Sequence, residues 1–479
     1  MVKWGSISVA FVICTFALLQ VGGITVATQT QTISDSSAIS PQKSVLTRKN
    51  IALKRKLPMV GETSGMNTVK LTGSPYERGL QHGRVLKDQI VQLTDRWKEQ
   101  LADEYSMPAD QFLSLFVNET HFTDSIEKHA PSLLEEVRGI SDGSGVAFNT
   151  IYVLQLMDEE WYWGQRIVSK KDVDDPEPEN SSCQPLHPSS SKSGVDSKLA
   201  KEVQQVKHHC TGLALTDGKR TLAGQNMDIP GVYHGYQTLL HIVHEGGTLE
   251  SFVLTFPGMI GLTGVNSASV GVTVNTLPQL RGNLHGLPVA FVVRASLERR
   301  SGAESRRFLK TILHASGQNY IVSDPTSTVS LESSEHTVCQ FPPADGKSES
   351  SLFKSTFHTN HPLANSNLNK SFRRFVGSAR VQDGHDPMAD ISPGSAGRLK
   401  AVVVALKGAK QQDNPLDEKF IRDVLAIHKG RAAISNFGTF GCVIFRLSQT
   451  EPPLLFLAPG VTHLTPFHKF AFQPAVGKL

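Results

Sequence analysis

The sequence has little excess charge for its length. Its 479 residues carry 48 Lys and Arg against 44 Asp and Glu, a formal net charge of +4. Proteins that bind nucleic acid through a basic surface carry a larger excess of one sign. We therefore expect small-molecule partners and no nucleic acid.

Long apolar runs are scarce as well. One run, ISVAFVICTFALLQVGG, follows Lys3 near the amino terminus, and no later run approaches the roughly 18 residues that a spanning helix needs. The polar stretch TQTQTISDSSAIS comes next, so a cleaved signal peptide over 1–27 is favoured over an uncleaved anchor. Residues 28–66 have the composition of a disordered leader or propeptide. We expect a secreted or lumenal protein, the lysosome included, with no stable membrane span.

Three glycosylation sequons fit the same route. They lie at Asn118, Asn180 and Asn369. Each sequon alone is a weak signal.

Cysteine is rare, with five residues in all. Removal of Cys14 with the signal peptide leaves Cys183, Cys210, Cys339 and Cys442. Two disulfides are possible in an oxidising compartment. Against this, a chain of this size needs no covalent staples, and Cys183 lies in a tract too polar for a core. A free Cys210 is therefore a plausible alternative.

Histidines do not form a recognisable metal motif. His208 and His209 are adjacent, and His358 and His361 have no Cys or Asp companion at ligand spacing. We expect them to be ordinary structural or solvent-facing residues, and we expect no metal or cofactor.

The order of patterns predicts an α+β protein. Residues 67–163 are mainly of helical periodicity, and 164–209 form a Ser-, Pro-, Asp- and Lys-rich linker. From 210 to 479, strand and turn units alternate with helices predicted at 287–316, around 371–382 and at 416–428. Two sheets with flanking helices would account for this order.

A β-hairpin opens this second part. CTGLALT and TLAGQNMDI flank the turn DGKR. With a two-residue turn, Cys210 faces Gln225, whereas with a four-residue turn it faces Met227. Either register brings the QNMD segment beside the thiol of Cys210.

Six motifs in order resemble one family. They are GSPYERGLQHG, LLEEVRGISDGSG, CTGLAL with AGQNMD, GVNSASVGVTVNTL, GLPVAFVVRASLE and HTNHPL. Together they resemble the isopenicillin N acyltransferase family, which is similar to the choloylglycine hydrolases and penicillin V acylases among the N-terminal nucleophile (Ntn) hydrolases. The resemblance runs from about Thr68 to the carboxyl end. It implies an αββα sandwich, self-cleavage between His209 and Cys210, and α and β chains that stay associated.

The chemistry of such a cysteine can be stated independently. A thiol can attack the preceding carbonyl, form a thioester and lose it to water. The α-amine that is released has a reference pKa of roughly 8, so it can act as the base for the adjacent thiol. On this hypothesis Cys210 is the catalytic nucleophile.

The resemblance implies further site residues. Asp228 would orient the amine and the thiol, and the Asn275 side chain would donate to the oxyanion. Asn360 would be a second polar group, and Arg374, with Arg373 as its competitor, would be the active-site arginine. Each has a structural alternative as a cap, strand-end or surface residue. GQNMDIP also lacks the tryptophans that often flank this Asp in the family, which leaves the shape of the acyl pocket open.

These observations favour a self-processing cysteine hydrolase that cleaves a linear amide or transfers its acyl group. Its substrate would be a small-molecule amide or acyl donor. The sequence does not choose between hydrolysis and transfer, because both proceed through an acyl-Cys210 intermediate. The alternative is a non-catalytic extracellular matrix or binding protein that keeps the fold, and a broad peptidase is a weaker third interpretation.

Overall fold

A computed structural model describes residues 60–63, 66–170, 183, 210–341, 353–373, 392–409, 417–430 and 433–472. These residues belong to one compact unit, Lys56–Leu479. The predicted signal peptide, almost all of the leader, and the positions of Asn180, His209 and Arg374 lie outside the described residues.

The first part of the described chain is a short strand pair followed by helices. The elements are β1 Val60–Thr63, β2 Met66–Leu71, α1 Pro75–Val85, α2 Lys87–Tyr105, α3 Ala109–Glu119, α4 Phe122–His129, α5 Pro131–Ser144, α6 Phe148–Leu154 and α7 Met157–Ser169. Helix α1 starts with a capping box, in which Ser74 Oγ accepts from Glu77 N and Glu77 Oε2 accepts from Ser74 N. Helix α7 extends past residue 163, where we expected the linker to begin.

Two of the motif segments form one helix contact. Gly79 and Gly83 on α1 face Gly139 and Gly143 on α5, and a Cβ on any of the four would clash with backbone of the opposing helix. Glycine at a four-residue spacing thus lets the two helix backbones touch, as small residues do in other close helix pairs. This packing explains the four glycines at positions 79, 83, 139 and 143 of the two motifs.

Strands dominate from residue 211 onward. The elements are β3 Thr211–Thr216, β4 Arg220–Asp228, β5 Thr238–Val243, β6 Glu250–Thr255, β7 Thr263–Asn266, β8 Gly271–Thr276, α8 Val289–Leu297, α9 Gly302–Leu309, β9 Gln318–Asp324, β10 Ser327–Ser333, β11 Val338–Phe341, β12 Lys354–His358, α10 Pro393–Ala409, α11 Glu418–Leu425, β13 Thr439–Ser448, β14 Leu454–Ala458 and β15 His468–Ala471. Helices α8, α9 and α11 lie within the predicted helical ranges, whereas α10 was not predicted.

The strands form two sheets that pack face to face. The larger has the order β1-β2-β5-β6-β7-β8-β9-β10-β11, and the smaller has the order β12-β3-β4-β13-β14-β15. Strands β3 and β4 pack across β8 and β9. Helices α8 and α9 pack on the larger sheet, and α10 and α11 on the smaller one. The predicted α+β class with helix, sheet, sheet and helix layers is confirmed.

Both faces of the smaller sheet are buried, and successive side chains of a strand lie on opposite faces. Leu213 and Leu215 pack with Val402 and Leu406 of α10, whereas Ala214 belongs to the core between the sheets. Cys210 shares this inner core with Ala214. No helix in the described part of the chain is both long and apolar enough to cross a bilayer.

Candidate active site

The β3–β4 hairpin has the longer of the two predicted turns. Thr216 pairs with Thr221 and Thr211 with Asn226, so Asp217 to Arg220 form a four-residue turn. This register brings Cys210 beside Met227, with 3.7 Å between their sulfur atoms. It also places Asp228 next to the thiol, because the Asp228 amide donates to Cys210 Sγ at 3.4 Å.

Cys210 borders a small cavity lined by residues of both sheets and of α7. The thiol is buried, with 3% of the residue exposed. Most of the lining is apolar and includes Met157, Trp161, Met227, Ile229, Met259, Leu262 and Val289. The cavity therefore presents mostly apolar side chains next to a cysteine.

Burial raises the pKa of the Cys210 thiol to about 12, and the nearby Asp228 carboxylate adds to the increase. The Asp228 backbone amide and the charge of Arg398 act in the opposite direction. The thiol is thus protonated at neutral pH while residue 210 is an internal residue of the chain.

Asp228 is buried beside the thiol. Its Oδ2 accepts from Asn436 Nδ2 at 2.7 Å, while Oδ1 is buried and has no hydrogen-bond partner among the described residues. Burial raises the pKa of Asp228 to about 6, against the charge of Arg398 and the Asn436 hydrogen bond, which lower it. A buried oxygen without a partner is costly, and Oδ1 is therefore an open acceptor beside the thiol.

Arg398 on α10 is the arginine that the structure brings to Cys210. Its Nη1 donates to Cys210 O at 2.6 Å and to Thr211 Oγ1 at 2.9 Å. Its Nη2 donates to Asn360 Oδ1 at 3.0 Å. Only 2% of Arg398 is exposed. The guanidinium therefore fixes the start of β3 and the Asn360 side chain together.

Sequence reasoning missed Arg398 because it missed helix α10. Arg374, the predicted arginine, lies outside the described residues. Arg373 donates through Nη1 to Leu368 O at 2.7 Å, which is a contact within its own segment. The signal for α10 was a Ser-Pro start followed by the run AVVVAL.

Asn360, a predicted site residue, lies next to Arg398. Besides its contact with Arg398, its Nδ2 donates to Thr276 O at 3.1 Å, and its backbone amide donates to Ser395 Oγ at 2.7 Å. The side chain is fully buried and held on both sides.

The Asn275 side chain lies away from the cavity. Its Nδ2 donates to His358 O at 3.5 Å, and its Oδ1 accepts from Asn319 Nδ2 at 3.4 Å. Its neighbours on β8, Val274 and Thr276, line the cavity instead. These hydrogen bonds tie the Asn275 amide to β9 and β12.

Helix α7 contributes carboxyl groups that the sequence did not indicate. Asp158 lines the cavity, and its Oδ1 accepts from Thr276 Oγ1 at 2.6 Å. Glu159 Oε1 accepts from Val289 N at 3.2 Å and from Ser316 Oγ at 2.7 Å. Burial raises the pKa of both carboxyls. Asp158 therefore brings a polar group from the first part of the chain to the Cys210 cavity.

Two of the histidines that we expected to be structural or solvent-facing residues contact other side chains. His358 Nε2 lies 2.7 Å from Glu332 Oε1, and His361 Nδ1 lies 2.7 Å from Ser395 Oγ. Burial lowers the pKa of His361 to about 3. His208 lies outside the described residues, as His209 does.

The sequon residues differ in exposure. Asn118 is exposed on α3. Asn369 is buried, and its Nδ2 donates to Pro278 O at 2.7 Å. A glycan on that nitrogen is incompatible with the folded arrangement.

The four cysteines that follow the predicted signal peptide could form two disulfides, and one is present. Cys183 and Cys339 are bonded, with their Cα atoms 5.2 Å apart, while Cys210 and Cys442 are free and buried. The polarity of its tract does not prevent Cys183 from pairing, because a disulfide requires only close approach of the two residues. Cys210 keeps its thiol.

Comparison with known proteins agrees with the motifs. The family model described as acyl-coenzyme A:6-aminopenicillanic acid acyl-transferase matches residues 215–383. Protein dcd1A of Dictyostelium discoideum is 31% identical over 120 residues, 22% of this chain and 27% of that protein. An uncharacterised protein of Archaeoglobus fulgidus is 33% identical over 82 residues, 17% of this chain and 14% of that protein. The chain thus matches only a minor part of either relative.

Solved structures with low overall similarity include three enzymes. The Caenorhabditis elegans N-acylethanolamine-hydrolyzing acid amidase ortholog has a TM-score of 0.34 and 17% identity, covering 49% of this chain and 92% of that one. A conjugated bile acid hydrolase variant of Clostridium perfringens scores 0.30 with 13% identity, covering 56% and 99%. Penicillin V acylase of Agrobacterium tumefaciens also scores 0.30 with 13% identity, covering 52% and 83%. The motifs and the family match agree over residues 215–383, where this chain is similar to the acyl-coenzyme A:6-aminopenicillanic acid acyl-transferase family.

Proposed function

We propose that this protein is an amide-cleaving enzyme of the Ntn-hydrolase type in which Cys210 is the nucleophile. The observation that carries the proposal is the position of Cys210. It is a free cysteine at the start of a core strand, beside the carboxyl of Asp228 and at the edge of an apolar cavity. The family match over residues 215–383 supports amide cleavage, by hydrolysis or by acyl transfer.

The first step is self-cleavage before Cys210. The thiol attacks the carbonyl carbon of His209, the His209–Cys210 amide bond breaks, and a thioester and a free α-amine form. Water then hydrolyses the thioester and returns the thiol. The new α-ammonium would lie beside Asp228, whose buried Oδ1 has no hydrogen-bond partner among the described residues.

The second step acts on substrate. The neutral α-amine takes the proton of the Cys210 thiol, the thiolate attacks the amide carbonyl, and the leaving amine receives the proton. Water or an acceptor amine then releases the acyl group. This proton transfer turns the amine into an ammonium group beside the thiolate, where it adds to the charge of Arg398 in stabilising the thiolate. Cleavage therefore activates the cysteine.

The substrate follows from the lining of the cavity. Its apolar residues favour an amide with an apolar acyl group, and the Asp158 carboxyl offers a hydrogen-bond partner to a polar group of the same substrate. Secretion or a lumenal location remains part of the proposal, supported by the amino-terminal apolar run and the Cys183–Cys339 disulfide.

The test uses a series of N-acyl aminomethylcoumarins with acyl chains from acetyl to dodecanoyl. Wild type is compared with Cys210→Ala and with Cys442→Ala, a matched control that removes the other buried free cysteine. We expect wild type and Cys442→Ala to hydrolyse the longer acyl chains and Cys210→Ala to lose about 10³-fold or more in kcat/KM. Equal activity of Cys210→Ala and wild type would remove Cys210 from the mechanism.

A further inference from the structure

A second group of chemically competent side chains lies outside the Cys210 cavity. His121 and Asp124 are at the start of α4, and His285 is in the loop that precedes α8. One ligand atom of each residue lies within 4.8 Å of the others. All three residues are exposed. The group therefore combines two imidazoles and a carboxylate at an accessible position.

Backbone hydrogen bonds hold this group together. His121 N donates to Leu284 O at 2.9 Å, which joins the start of α4 to the loop. Within the loop, His285 N donates to Asn283 Oδ1 at 2.8 Å, and Asn283 N donates to His314 O at 3.0 Å. The positions of both histidines are thus fixed by bonds that do not involve their imidazoles.

The two imidazole rings are parallel. Their centroids are 4.5 Å apart, and the angle between the ring planes is 3°. Two stacked imidazoles would repel each other if both were protonated, whereas in their neutral form each offers a nitrogen lone pair to a metal ion. The Asp124 carboxylate supplies the negative charge that a divalent cation requires.

We propose that His121, Asp124 and His285 bind a zinc ion. Zn²⁺ accepts His nitrogen at about 2.0–2.1 Å and carboxylate oxygen at about 2.0–2.2 Å, so ligand atoms of a tetrahedral site lie about 3.4 Å apart. Because the two rings are parallel, at least one imidazole has to rotate out of the stack before both nitrogen lone pairs reach the same ion. Water would complete the coordination, since the group is exposed.

The site would connect the two parts of the chain. His121 and Asp124 precede the proposed cleavage point, and His285 follows it. In the processed protein, the ion would therefore bridge the two chains. This bridging rests on the proposed function, whereas zinc binding itself does not depend on self-cleavage.

The experiment measures zinc bound to the full secreted protein by equilibrium dialysis against Zn²⁺ at pH 7.5. Variants are His121→Gln, Asp124→Asn and His285→Gln. The matched control is His463→Gln, because His463 belongs to a second stacked pair with His428, with centroids 4.1 Å apart. We expect one Zn²⁺ per wild-type and control protein, and at least a tenfold weaker affinity for each of the three variants.

A second measurement distinguishes zinc coordination by these residues from a purely structural role. Zn²⁺ should raise the urea midpoint of wild type and His463→Gln but not that of His285→Gln, while the midpoints without zinc agree. Equal zinc binding by wild type and the double variant His121→Gln/His285→Gln would overturn the proposal. So would an equal loss in His463→Gln. Neither outcome depends on whether the chain is cleaved before Cys210.

Discussion

The guanidinium of Arg398 contacts both β3 and the segment that follows β12. It holds the Cys210 carbonyl, the Thr211 hydroxyl and the Asn360 side chain at the same time. A planar fork of donors suits three acceptors in fixed directions, and a lysine ammonium cannot reproduce it. Arg398 is therefore a positioning residue for Cys210, the proposed nucleophile.

The substitution Arg398→Lys tests this role. It keeps the positive charge but loses the fork, so we expect kcat/KM for the coumarin amides to fall by about 10²-fold through misplacement of Cys210. Self-cleavage should slow in parallel. Arg373→Lys is the control, and its kcat/KM should equal that of wild type. If Arg398→Lys had wild-type rates of self-cleavage and hydrolysis, the fork would not position the nucleophile.

Asp228 should make the free energy of unfolding fall as pH rises. Its pKa is about 6 in the folded chain against an ordinary value of 3.8, so the folded state holds its proton more tightly than the unfolded state does. The free energy of unfolding therefore falls as pH rises through this window, and the loss is complete above about pH 6.

Asp228→Asn in the uncleaved Cys210→Ala background isolates this effect. The amide keeps an acceptor for Asn436 but cannot ionise, so we expect this variant to gain about 1–3 kcal/mol at pH 7.5 relative to Cys210→Ala alone. The gain should vanish near pH 4. Urea unfolding at the two pH values measures it, and a gain that grows toward low pH would show that the pKa of Asp228 is not raised.

The α1–α5 contact is where helix geometry is most constrained. Gly79 and Gly83 touch the α5 backbone, and the helix pair supports the segment that leads to α7 and its Asp158. The buried ion pairs of Glu136 on α5 with Arg78 on α1 and Arg294 on α8 join the same layer. Motif glycines here specify packing rather than chemistry.

Gly79→Ala should show this directly. Its Cβ would overlap the Glu136 carbonyl, so we expect a loss of about 3 kcal/mol or more in the free energy of unfolding. Gly408→Ala on α10 is the matched control, since no atom lies within 4 Å of its added Cβ, and it should gain up to about 1 kcal/mol. Chemical denaturation compares them, and equal stability of the two variants would contradict the close contact.

The sequence predicted those elements whose signals are local. The DGKR turn, flanked by segments in which apolar and polar residues alternate, predicted the β3–β4 hairpin. The register of this hairpin brings Cys210 beside Asp228. Arg398 and Asp158 carry no local signal, because what makes them site residues is the packing of α10 and α7 against distant strands. The zinc ligands were missed for the same reason, as His285 meets α4 only in the folded chain.

The two parts of the chain form one interior across the proposed cleavage point. Strand β2 pairs in parallel with β5, so residues from both parts belong to the same sheet. Gln155, the residue after α6, donates to Gly258 O at 2.7 Å and accepts from Ile260 N at 2.8 Å, and Trp163 Nε1 on α7 donates to Ala315 O at 2.9 Å. We therefore expect the α and β chains to stay associated after cleavage.

The Cys183–Cys339 disulfide adds a covalent link between the same two parts. Cys183 precedes Cys210 in the sequence and Cys339 follows it. A processed protein should therefore behave as one covalent species until it is reduced. Without reduction, a cleaved chain has nearly the mass of an intact one.

Intact mass and amino-terminal sequencing of the secreted protein, before and after reduction, decide whether Cys210 becomes an amino terminus. Wild type is compared with Cys210→Ala and Cys442→Ala. We expect wild type and Cys442→Ala to give one species before reduction and two fragments after it, one of which begins Cys-Thr-Gly-Leu, while Cys210→Ala stays a single chain throughout. A reduced wild-type protein that remains one chain with Cys210 internal would contradict the proposed self-processing and the catalytic role that depends on it.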